Sequence, residues 1–381
     1  MHGIETLQMI FCRKWRGVGT PGAGGNFIPR PATAKRSTSK PAHRPLRLGF
    51  VALTDCAPLV MAEELGLYAA HGIEVELRRE VGWATIRDKI IYGELDAAQA
   101  PAGQVIAAAC GLGSTKAECL TGLVLNLHGN AITLSQDLWK RGIRDGHALH
   151  AEIMRRERRY TFGVVHTYSA HNILLRNWLR AHGIEPGRDV NIVVVPPPQV
   201  HANLKAGHLD GYCAGEPWNS LAVLSGTGWC VATSEELAPE HPEKVLMVRR
   251  EFAEKREAEH LALIAALLEA CEFCARPENR ERVMETLAQP KYVGAPIQAL
   301  RMSLGGSFDY GNGRVEKQSR FHIFAGDYVN EPSLEKAHWV IRNLLASGLV
   351  AEPSEIPGER AKEWFRADLF RKARALFASA S

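Results

Sequence analysis

The chain has 381 residues, of which 46% are hydrophobic and 23% charged, and its formal net charge is +4. This length suits two domains or two lobes, and the charge is too small to predict direct nucleic-acid binding. No apolar run reaches the roughly 18 residues that a membrane-spanning helix needs.

Residues 1–43 are rich in Gly, Pro, Ser and basic side chains, with Glu5 as their single acid. Such a segment buries too little apolar surface to order itself, so we predict a disordered basic arm. Arms of this kind are usually solvated, and RNA or partner binding is the less favoured alternative. The apolar stretch "LQMIFC" is too short for a signal peptide. We therefore expect a cytoplasmic protein, or a periplasmic one if the start codon is misassigned.

From residue 46 onward, strand and helix patterns alternate. Strands are predicted at "LRLGFVAL", "IEVELRRE" and "LDAAQAP", and helices at "DCAPLVMAEELGLYAAHG" and "ATIRDKIIYGE". Asp55 is placed as an N-cap and Gly72 as a C-cap of the first helix. This βαβαβ order predicts a mostly parallel sheet with helices on its faces.

The same order returns later, in the strand "VNIVVVPP", the helix "QVHANLKAGH" and the strand "LDGYCAGEP". We therefore predict an α/β protein of two lobes. Residues 44–130 and 229–381 form lobe 1, and residues 131–228 form lobe 2. Two later helices, at "HLALIAALLEACEFCA" and "SLEKAHWVIRNLLASGLV", complete lobe 1, and "GGSFDYGNGR" between them is predicted to be a loop.

Two α/β lobes predict a ligand cleft at the carboxyl ends of their strands. Helix N-termini there offer free N–H groups and a positive dipole end, which favour anions. Trp83 stands at such a corner, in "EVGWAT". An indole N–H donates a hydrogen bond without bringing an acceptor that would repel an anion.

Other chemistry has little support in the sequence. Neither GxSxG, HExxH nor a P-loop is present. Cys271 and Cys274 form a CxxC within one predicted helix, and we interpret them as packed thiols rather than a zinc or redox pair. No cofactor or metal is predicted, and we expect a binding protein rather than an enzyme.

Five stretches together resemble a known family. They are "LRLGFVALTDCAPLVMAEELGLY", "GWATIRDKIIYGELDAAQA", "LNLHGNAITLS", "AGEPWN" and "HPEKVLMVRREF". They are similar to the nitrate/nitrite- and bicarbonate-binding proteins of the NrtA/CmpA/NasS group, over about residues 46 to 350. The resemblance implies a two-lobed type II periplasmic-binding-protein fold with a ligand cleft between the lobes.

The resemblance also implies a set of ligand residues. Trp83, His171 and Lys244 match anion-binding positions of the nitrate-binding members, and backbone N–H groups near Ala170 and His171 would add donors. Asn130 stands where those members have Gln, one methylene shorter. The bicarbonate binders do not keep the lysine, so Lys244 favours nitrate or nitrite.

Without the resemblance, each of these residues has an ordinary structural explanation. Trp83 would pack between helix and strand, and His171 would sit in a helix N-terminal turn. Lys244 would be a solvated loop lysine, dispensable for the core, and Asn130 a turn residue. A second acid at a cleft corner, Glu216, is predicted to pair with a donor near the hinge.

The missing export signal makes the chain most similar to the cytoplasmic nitrate/nitrite sensors of the NasS type. Such a sensor would hold an RNA-binding antiterminator (NasT-like) and release it when the anion binds. The alternative is the periplasmic component of a nitrate/nitrite or bicarbonate ABC importer, which docks on a permease. A third reading, an enzyme related to the thiamine-pyrimidine synthases, lacks their His- and Cys-rich motifs.

Overall fold

The computed structural model describes residues 44–380, with side chains described as far as residue 376, so the predicted arm at residues 1–43 lies outside the described residues. The strands of the structure are β1 Leu46–Val51, β2 Val75–Glu80, β3 Ala97–Pro101, β4 Cys119–His128, β5 Asn130–Ser135, β6 Tyr160–Val164, β7 Val190–Val194, β8 Gly211–Gly215, β9 Gly228–Thr233, β10 Pro242–Arg249, β11 Ser307–Gly311, β12 Arg314–Lys317 and β13 His322–Ile323.

The strands form two main sheets, each with a parallel part and an antiparallel part. In the first sheet the order is β13-β4-β10-β3-β1-β2. Strands β1, β2 and β3 run parallel, and β10 runs antiparallel to both β3 and β4. In the second sheet the order is β7-β6-β8-β5-β9. Strands β6, β7 and β8 run parallel, and β5 runs antiparallel to β8 and β9.

Helices cover the faces of these sheets. They are α1 Ala57–Glu64, α2 Leu67–Ala70, α3 Trp83–Ile91, α4 Ala102–Cys110, α5 Gln136–Lys140, α6 Gly146–Met154, α7 Ala170–Ala181, α8 Pro197–Lys205, α9 Trp218–Leu224, α10 Ser234–Leu237, α11 Arg250–Lys255, α12 Glu257–Ala275, α13 Arg280–Leu287, α14 Ile297–Leu304, α15 Leu334–Ala346, α16 Ala361–Trp364 and α17 Ala367–Ala380. Short 3-10 turns stand at Thr54–Cys56, Pro277–Asn279, Pro353–Glu355 and Gly358–Arg360.

The chain passes between the two sheets at two points. Strand β4 ends at His128 in the first sheet, and β5 begins at Asn130 in the second. Gly129, with φ +97°, makes this one-residue crossing, because its positive φ is costly for a residue with a Cβ. The return path runs through α10 from β9 to β10. These two connections join a first lobe, which holds the first sheet, to a second lobe, which holds the second.

The core follows from the apolar pattern of the strands and of α12. All ten residues of β4 are buried, as are all five of β3, because helices cover both faces of the first sheet. Leu263, Ile264 and Leu267 of α12 are fully buried in that core. Burial of each such side chain contributes about 1.5–3 kcal/mol. Cys271 and Cys274 are buried free thiols, as predicted.

Two of the predicted elements were wrong in detail. The single helix predicted before Gly72 is two helices, α1 and α2, because Gly66 at φ +70° leaves the helical region between them. The Gly-rich stretch predicted as a loop is a hairpin of β11 and β12, with Phe308 and Tyr310 buried. Alternation of buried and exposed residues, as in Ser307–Gly311, is the strand signal that the glycines concealed. Within residues 44–380, none of the helices is long and apolar enough to cross a membrane.

Candidate functional site

A buried polar cluster lies where the two sheets meet. Both lobes contribute to it, and none of its side chains is more than 1% exposed. We call it the Glu243 cluster and define it as Asp55, Trp83, Gln99, Asn130, His171, Glu243 and Lys244. Five of its members come from the first lobe, and Asn130 and His171 come from the second.

Glu243 and Lys244 are consecutive residues of β10, yet both side chains reach the cluster. In a regular strand, neighbouring side chains point to opposite faces. Here the pairing of β10 with β4 shifts register between Pro242 and Lys244 and again after Lys244. Such an irregularity bends the strand and turns a side chain from its usual direction. The Lys244 Nζ thereby lies 2.5 Å from Glu243 Oε1.

Lys244 was expected on a solvated loop that the core does not need, and this expectation was wrong. It lies in strand β10, is 0% exposed, and contacts two carboxylates. Its second partner is Asp55 Oδ2, at 2.8 Å from the ammonium nitrogen. A buried lysine needs such pairing, because an unpaired charge away from water is strongly destabilising.

Asp55 was predicted to be a helix N-cap, and this was also wrong. It lies inside the 3-10 turn that precedes α1, and neither helix start there has a side-chain cap. Its Oδ1 instead accepts a hydrogen bond from Gln99 Nε2, and the Gln99 Oε1 accepts one from the Val51 N–H at 3.2 Å. The carboxylate therefore belongs to the cluster. Glu216 has a donor as predicted, since Oε2 accepts from the Ser220 N–H at 3.1 Å.

Trp83 begins α3, directly after the extended Gly82. Its main-chain oxygen accepts a hydrogen bond from Gln104 Nε2 at 2.8 Å, which holds the corner in place. The Lys244 ammonium stands 5.2 Å from the centre of its ring, within cation–π range. The indole Nε1–H is buried and has no acceptor within the described residues.

The second lobe reaches Glu243 through two side chains. Asn130, the first residue of β5, donates from Nδ2 to Glu243 Oε2 at 2.7 Å, and its Oδ1 has no donor among residues 44–376. His171, in the first turn of α7, places Nε2 3.5 Å from Glu243 Oε1. Glu243 therefore links the lobes directly.

Ala170 is the first residue of α7, which Ser169 caps by accepting from the Asn172 N–H. The N–H groups of Asn172 and Ile173 also bond to the Ser169 carbonyl. The N–H groups of Ala170 and His171 precede these, in the part of a helix that has no intrahelical acceptor. The structure thus brings Trp83, Asn130, His171 and Lys244 together beside this helix start. Their role as ligand donors stays a prediction.

Burial and pairing set the charges of the cluster. Burial raises the pKa of Asp55, against the attraction of Lys244. Burial acts on Glu243 in the same direction, but Lys244, His171 and His241 outweigh it and hold its pKa well below the usual range. Burial works to lower the pKa of Lys244, and its two carboxylates reverse this and raise it. Burial lowers the pKa of His171 to about 3, so His171 is neutral near pH 7.

Two further histidines lie behind Glu243. His241 Nε2 is 3.4 Å from Glu243 Oε2, and its Nδ1 is 2.9 Å from the Ala238 carbonyl, to which it can only donate. His128 packs on His241, accepts from the Glu240 N–H at Nε2 and donates from Nδ1 to the Arg320 carbonyl. His128 is thus a neutral structural residue, and His241 faces the cluster.

The thiols next to the cluster are buried and stay protonated. Burial raises the pKa of Cys213 well above its usual range, and burial likewise raises the pKa of Cys56. Thiols that stay protonated are weak nucleophiles. What the cluster offers is a set of donors, some already paired with carboxylates, which suits binding.

Sequence reasoning missed the central role of Glu243 and the part played by Gln99. A signal for Glu243 was present, because it directly precedes Lys244 in "HPEK". Buried charges are usually paired with an opposite charge, so a lysine assigned to a closed site directs attention to the carboxylate beside it. For Gln99 the signal was a lone amide in the apolar strand "LDAAQAP". Buried polar groups of this kind almost always have a partner.

Comparisons with known proteins give a consistent result. The model of the NMT1-like family matches residues 39–288. The nitrate/nitrite binding protein NrtA of Synechococcus elongatus is 30% identical over 367 residues, covering 93% of this chain and 82% of that protein. The crystal structure of the periplasmic nitrate-binding protein NrtA from Synechocystis superposes with a TM-score of 0.82 at 27% identity, covering 88% of this chain and 90% of that one.

Relatives with higher identity are longer proteins. The nitrate import ATP-binding protein NrtC of Synechocystis is 40% identical over 332 residues, covering 86% of this chain and 49% of that protein. The chain spans about half the length of the curated relatives it matches at this level, and bicarbonate transport ATP-binding proteins are among them. The predicted two-lobed fold is confirmed by its similarity to the solved structure.

Proposed function

Since the chain belongs to the NMT1-like family, we propose that it binds nitrate or nitrite in the Glu243 cluster and catalyses no reaction. The observation that carries this proposal is the convergence of Trp83, Asn130, His171 and Lys244 on one buried point between the lobes. The name of the relative NrtA, a nitrate/nitrite binding protein, supports the same ligand class.

The donors of the cluster suit a planar anion that carries no proton. Trp83 has an N–H without an acceptor in the part of the chain that the structure describes, and neutral His171 has one N–H on either tautomer. Lys244 has three N–H donors, of which two face carboxylates. Hydrogen bonds to a charged group contribute roughly 1.5–3 kcal/mol each, before desolvation. A micromolar ligand needs about −8 kcal/mol net, which a few such bonds supply.

Binding would couple to movement of the lobes. The cluster residues are at most 1% exposed, so an anion reaches them only when the lobes separate. The Asn130–Glu243 bond and the bond from Thr54 N–H to the Glu216 carbonyl, at 2.7 Å, join the two lobes near the cluster. Separation would break both, with the β4–β5 and β9–β10 connections as hinges. A bound anion that contacts both lobes would favour the closed form.

Calorimetry of the full chain tests the ligand. Nitrate, nitrite, bicarbonate and sulfate are titrated separately at one pH and one ionic strength. We expect micromolar binding of nitrate or nitrite, and much weaker binding of sulfate, whose second charge would enter a buried site with only one lysine. If neither nitrate nor nitrite binds at any pH from 6 to 8.5, the proposed function is wrong.

For the cellular role we propose a cytoplasmic nitrate/nitrite sensor. It would hold an RNA-binding antiterminator in its open form and release it on anion binding, because coupling between two ligands is reciprocal. Coupling of about 1–3 kcal/mol would change partner affinity roughly 5- to 150-fold. Gel filtration of the co-expressed pair, with and without nitrate, tests this. A complex that survives saturating nitrate and nitrite contradicts the switch.

The alternative role is the binding component of a nitrate importer, in the periplasm. The names of two relatives, a nitrate import ATP-binding protein and a periplasmic nitrate-binding protein, favour it. Both roles use the same site and differ in location and partner. Fractionation of cells that express the full-length chain separates them, because export favours the importer and retention in the cytoplasm favours the sensor.

A further inference from the structure

The Glu243 cluster holds more negative than positive charge. With Asp55 and Glu243 ionised and Lys244 protonated, one positive and two negative charges give a net charge of −1 in a fully buried space. Nitrate or nitrite would bring this to −2. Like charges repel each other strongly away from water, and protonation of a carboxylate relieves this repulsion.

We propose that Asp55 is a further anion-binding residue of this site, whose carboxylate takes up one proton from solvent each time nitrate or nitrite enters. The inference rests on the proposed function. The net buried charge then stays at −1, because the anion and the proton enter together. The new O–H bond forms on Asp55, and no other bond is made or broken.

Geometry selects Asp55 rather than Glu243 as the proton acceptor. Glu243 accepts hydrogen bonds from Lys244 Nζ and Asn130 Nδ2, and neutral His171 can present a third N–H, on Nε2, at 3.5 Å from Glu243 Oε1. Asp55 has only Gln99 Nε2 and Lys244 Nζ. A carboxylate with more donors keeps its charge more readily. The opposite directions of the two pKa shifts, upward for Asp55 and downward for Glu243, agree with this.

Protonation would also create a donor for the anion. An ionised Asp55 can only accept hydrogen bonds, whereas a protonated one donates through its O–H. A neutral Asp55 would hold Lys244 less tightly, which frees a second N–H of the ammonium for the ligand. The same step therefore removes a repulsive acceptor and adds two donors.

Other titratable groups lie in and around the cluster and compete for the role. Lys244, Glu243, Cys56 and Glu216 lie near Asp55, whereas Cys213 on β8, His171 on α7 and His241 before β10 lie near Glu243. Glu216 is the strongest alternative proton acceptor, since burial raises its pKa to about 7. Its backbone carbonyl bonds to the Thr54 N–H, so it lies next to Asp55.

Proton uptake by the full chain tests the proposal. Nitrate is titrated calorimetrically at pH 8.5 in phosphate and in Tris, whose ionisation enthalpies differ, and the heat difference gives the protons taken up. We expect close to one proton per nitrate, and a dissociation constant about tenfold weaker at pH 8.5 than at pH 7.5. Asp55→Asn should bind nitrate with uptake near zero and with equal affinity at both pH values.

Glu216→Gln is the matched control, because its amide oxygen still accepts from the Ser220 N–H. It should keep both the proton uptake and the tenfold pH dependence. Uptake of no proton by the unmodified chain, or equal uptake by Asp55→Asn, overturns the proposal. The first readout needs no variant, so a variant that fails to fold does not block the test. Nitrate binding without proton uptake overturns only the role of Asp55 and leaves the proposed function intact.

Discussion

Two regions of this molecule gather cationic side chains in different ways. One is the Glu243 cluster, which has a single lysine. The other is an arginine patch at the opposite end of the second sheet, which we define as Arg156, Arg158, Arg159 and Arg188. Together they line an open cavity of about 410 Å³.

The arginine patch has more positive side chains than the Glu243 cluster, but its structure gives less reason to expect selective binding of one small anion. All of its members are exposed, and Arg158 and Arg188 are paired with Asp210 and Asp189. Exposed charges are screened by salt and remain hydrated, so a small anion gains little there. In the Glu243 cluster, Lys244 is 0% exposed, and each donor must replace water that the anion has lost. Burial, rather than the number of cations, distinguishes the two regions.

The largest expected effect comes from Lys244→Met. Removal of the ammonium leaves Asp55 and Glu243 as buried carboxylates without their cation, and breaking a buried pair in this way costs about 3–5 kcal/mol. We expect nitrate binding to disappear and the free energy of unfolding to fall by about that amount. Denaturant unfolding and calorimetry measure the two effects.

The control for this variant is Arg156→Met in the arginine patch. Its guanidinium has no hydrogen-bond or ion-pair partner among the described residues, so unfolding should change by less than about 0.5 kcal/mol. The double variant Asp55→Asn/Lys244→Met removes one of the stranded carboxylates and should recover part of the stability. Unchanged stability or unchanged nitrate affinity in Lys244→Met would contradict this account of the cluster.

Acid should destabilise the folded protein mainly through its buried histidines rather than through its exposed ones. Burial lowers the pKa of His260 to about 4, below the unfolded value of about 6.5. The unfolded chain therefore binds more protons in this range, and stability present above pH 6.5 is lost as the pH falls towards 4. This residue accounts for up to about 3 kcal/mol of that loss.

The measurement is the free energy of unfolding at pH 6.5 and pH 4 for the unmodified chain and for His260→Leu. We expect a smaller loss in the variant, because Leu carries no proton. The exposed His208→Leu serves as the control and should leave the loss as it was. An equal loss in all three chains would show that His260 does not contribute.

Trp83→Phe should reduce nitrate affinity by about tenfold, corresponding to roughly 1.4 kcal/mol for one hydrogen bond. The ring is retained, and Nε1 has no acceptor within the described residues, so stability should change little. Trp229→Phe is a matched control, since its Nε1 is also buried and has no partner in the described part of the chain, but it lies outside the cluster. Calorimetry measures both. Equal affinities in the two variants would remove Trp83 from the proposed site.

The smallest expected effect is a change of preference in Asn130→Gln. The Gln side chain is one methylene longer, so its amide would extend beyond the position from which Asn130 Nδ2 now bonds to Glu243 Oε2 at 2.7 Å. This change should alter the nitrate-to-nitrite affinity ratio by about two- to tenfold. The ratio is measured by calorimetry with both anions. Asn203→Gln, on α8 away from the cluster, should leave the ratio unchanged. The same ratio in Asn130→Gln would show that this amide does not read the anion.

Local sequence patterns predicted most of the elements. The strand β1, the βαβ order and the helices α12 and α15 follow from apolar period and cap signals, which depend on neighbours a few residues away. The hairpin of β11 and β12 was missed because its four glycines and one asparagine, in residues 305–313, are also typical of loops. Its pairing depends on packing against Trp229 in the second sheet, at Gly311.

For the site, residue types and motif similarity predicted Trp83, Asn130, His171 and Lys244 as ligand residues, since each offers an N–H donor suited to an anion. They did not indicate that Lys244 is buried between Asp55 and Glu243. That arrangement depends on a register irregularity in β10 and on the contact between Lys244 and Asp55, which lie more than 180 positions apart. Charge state in a buried cluster is decided by which groups desolvate one another, and only the tertiary structure brings those groups together.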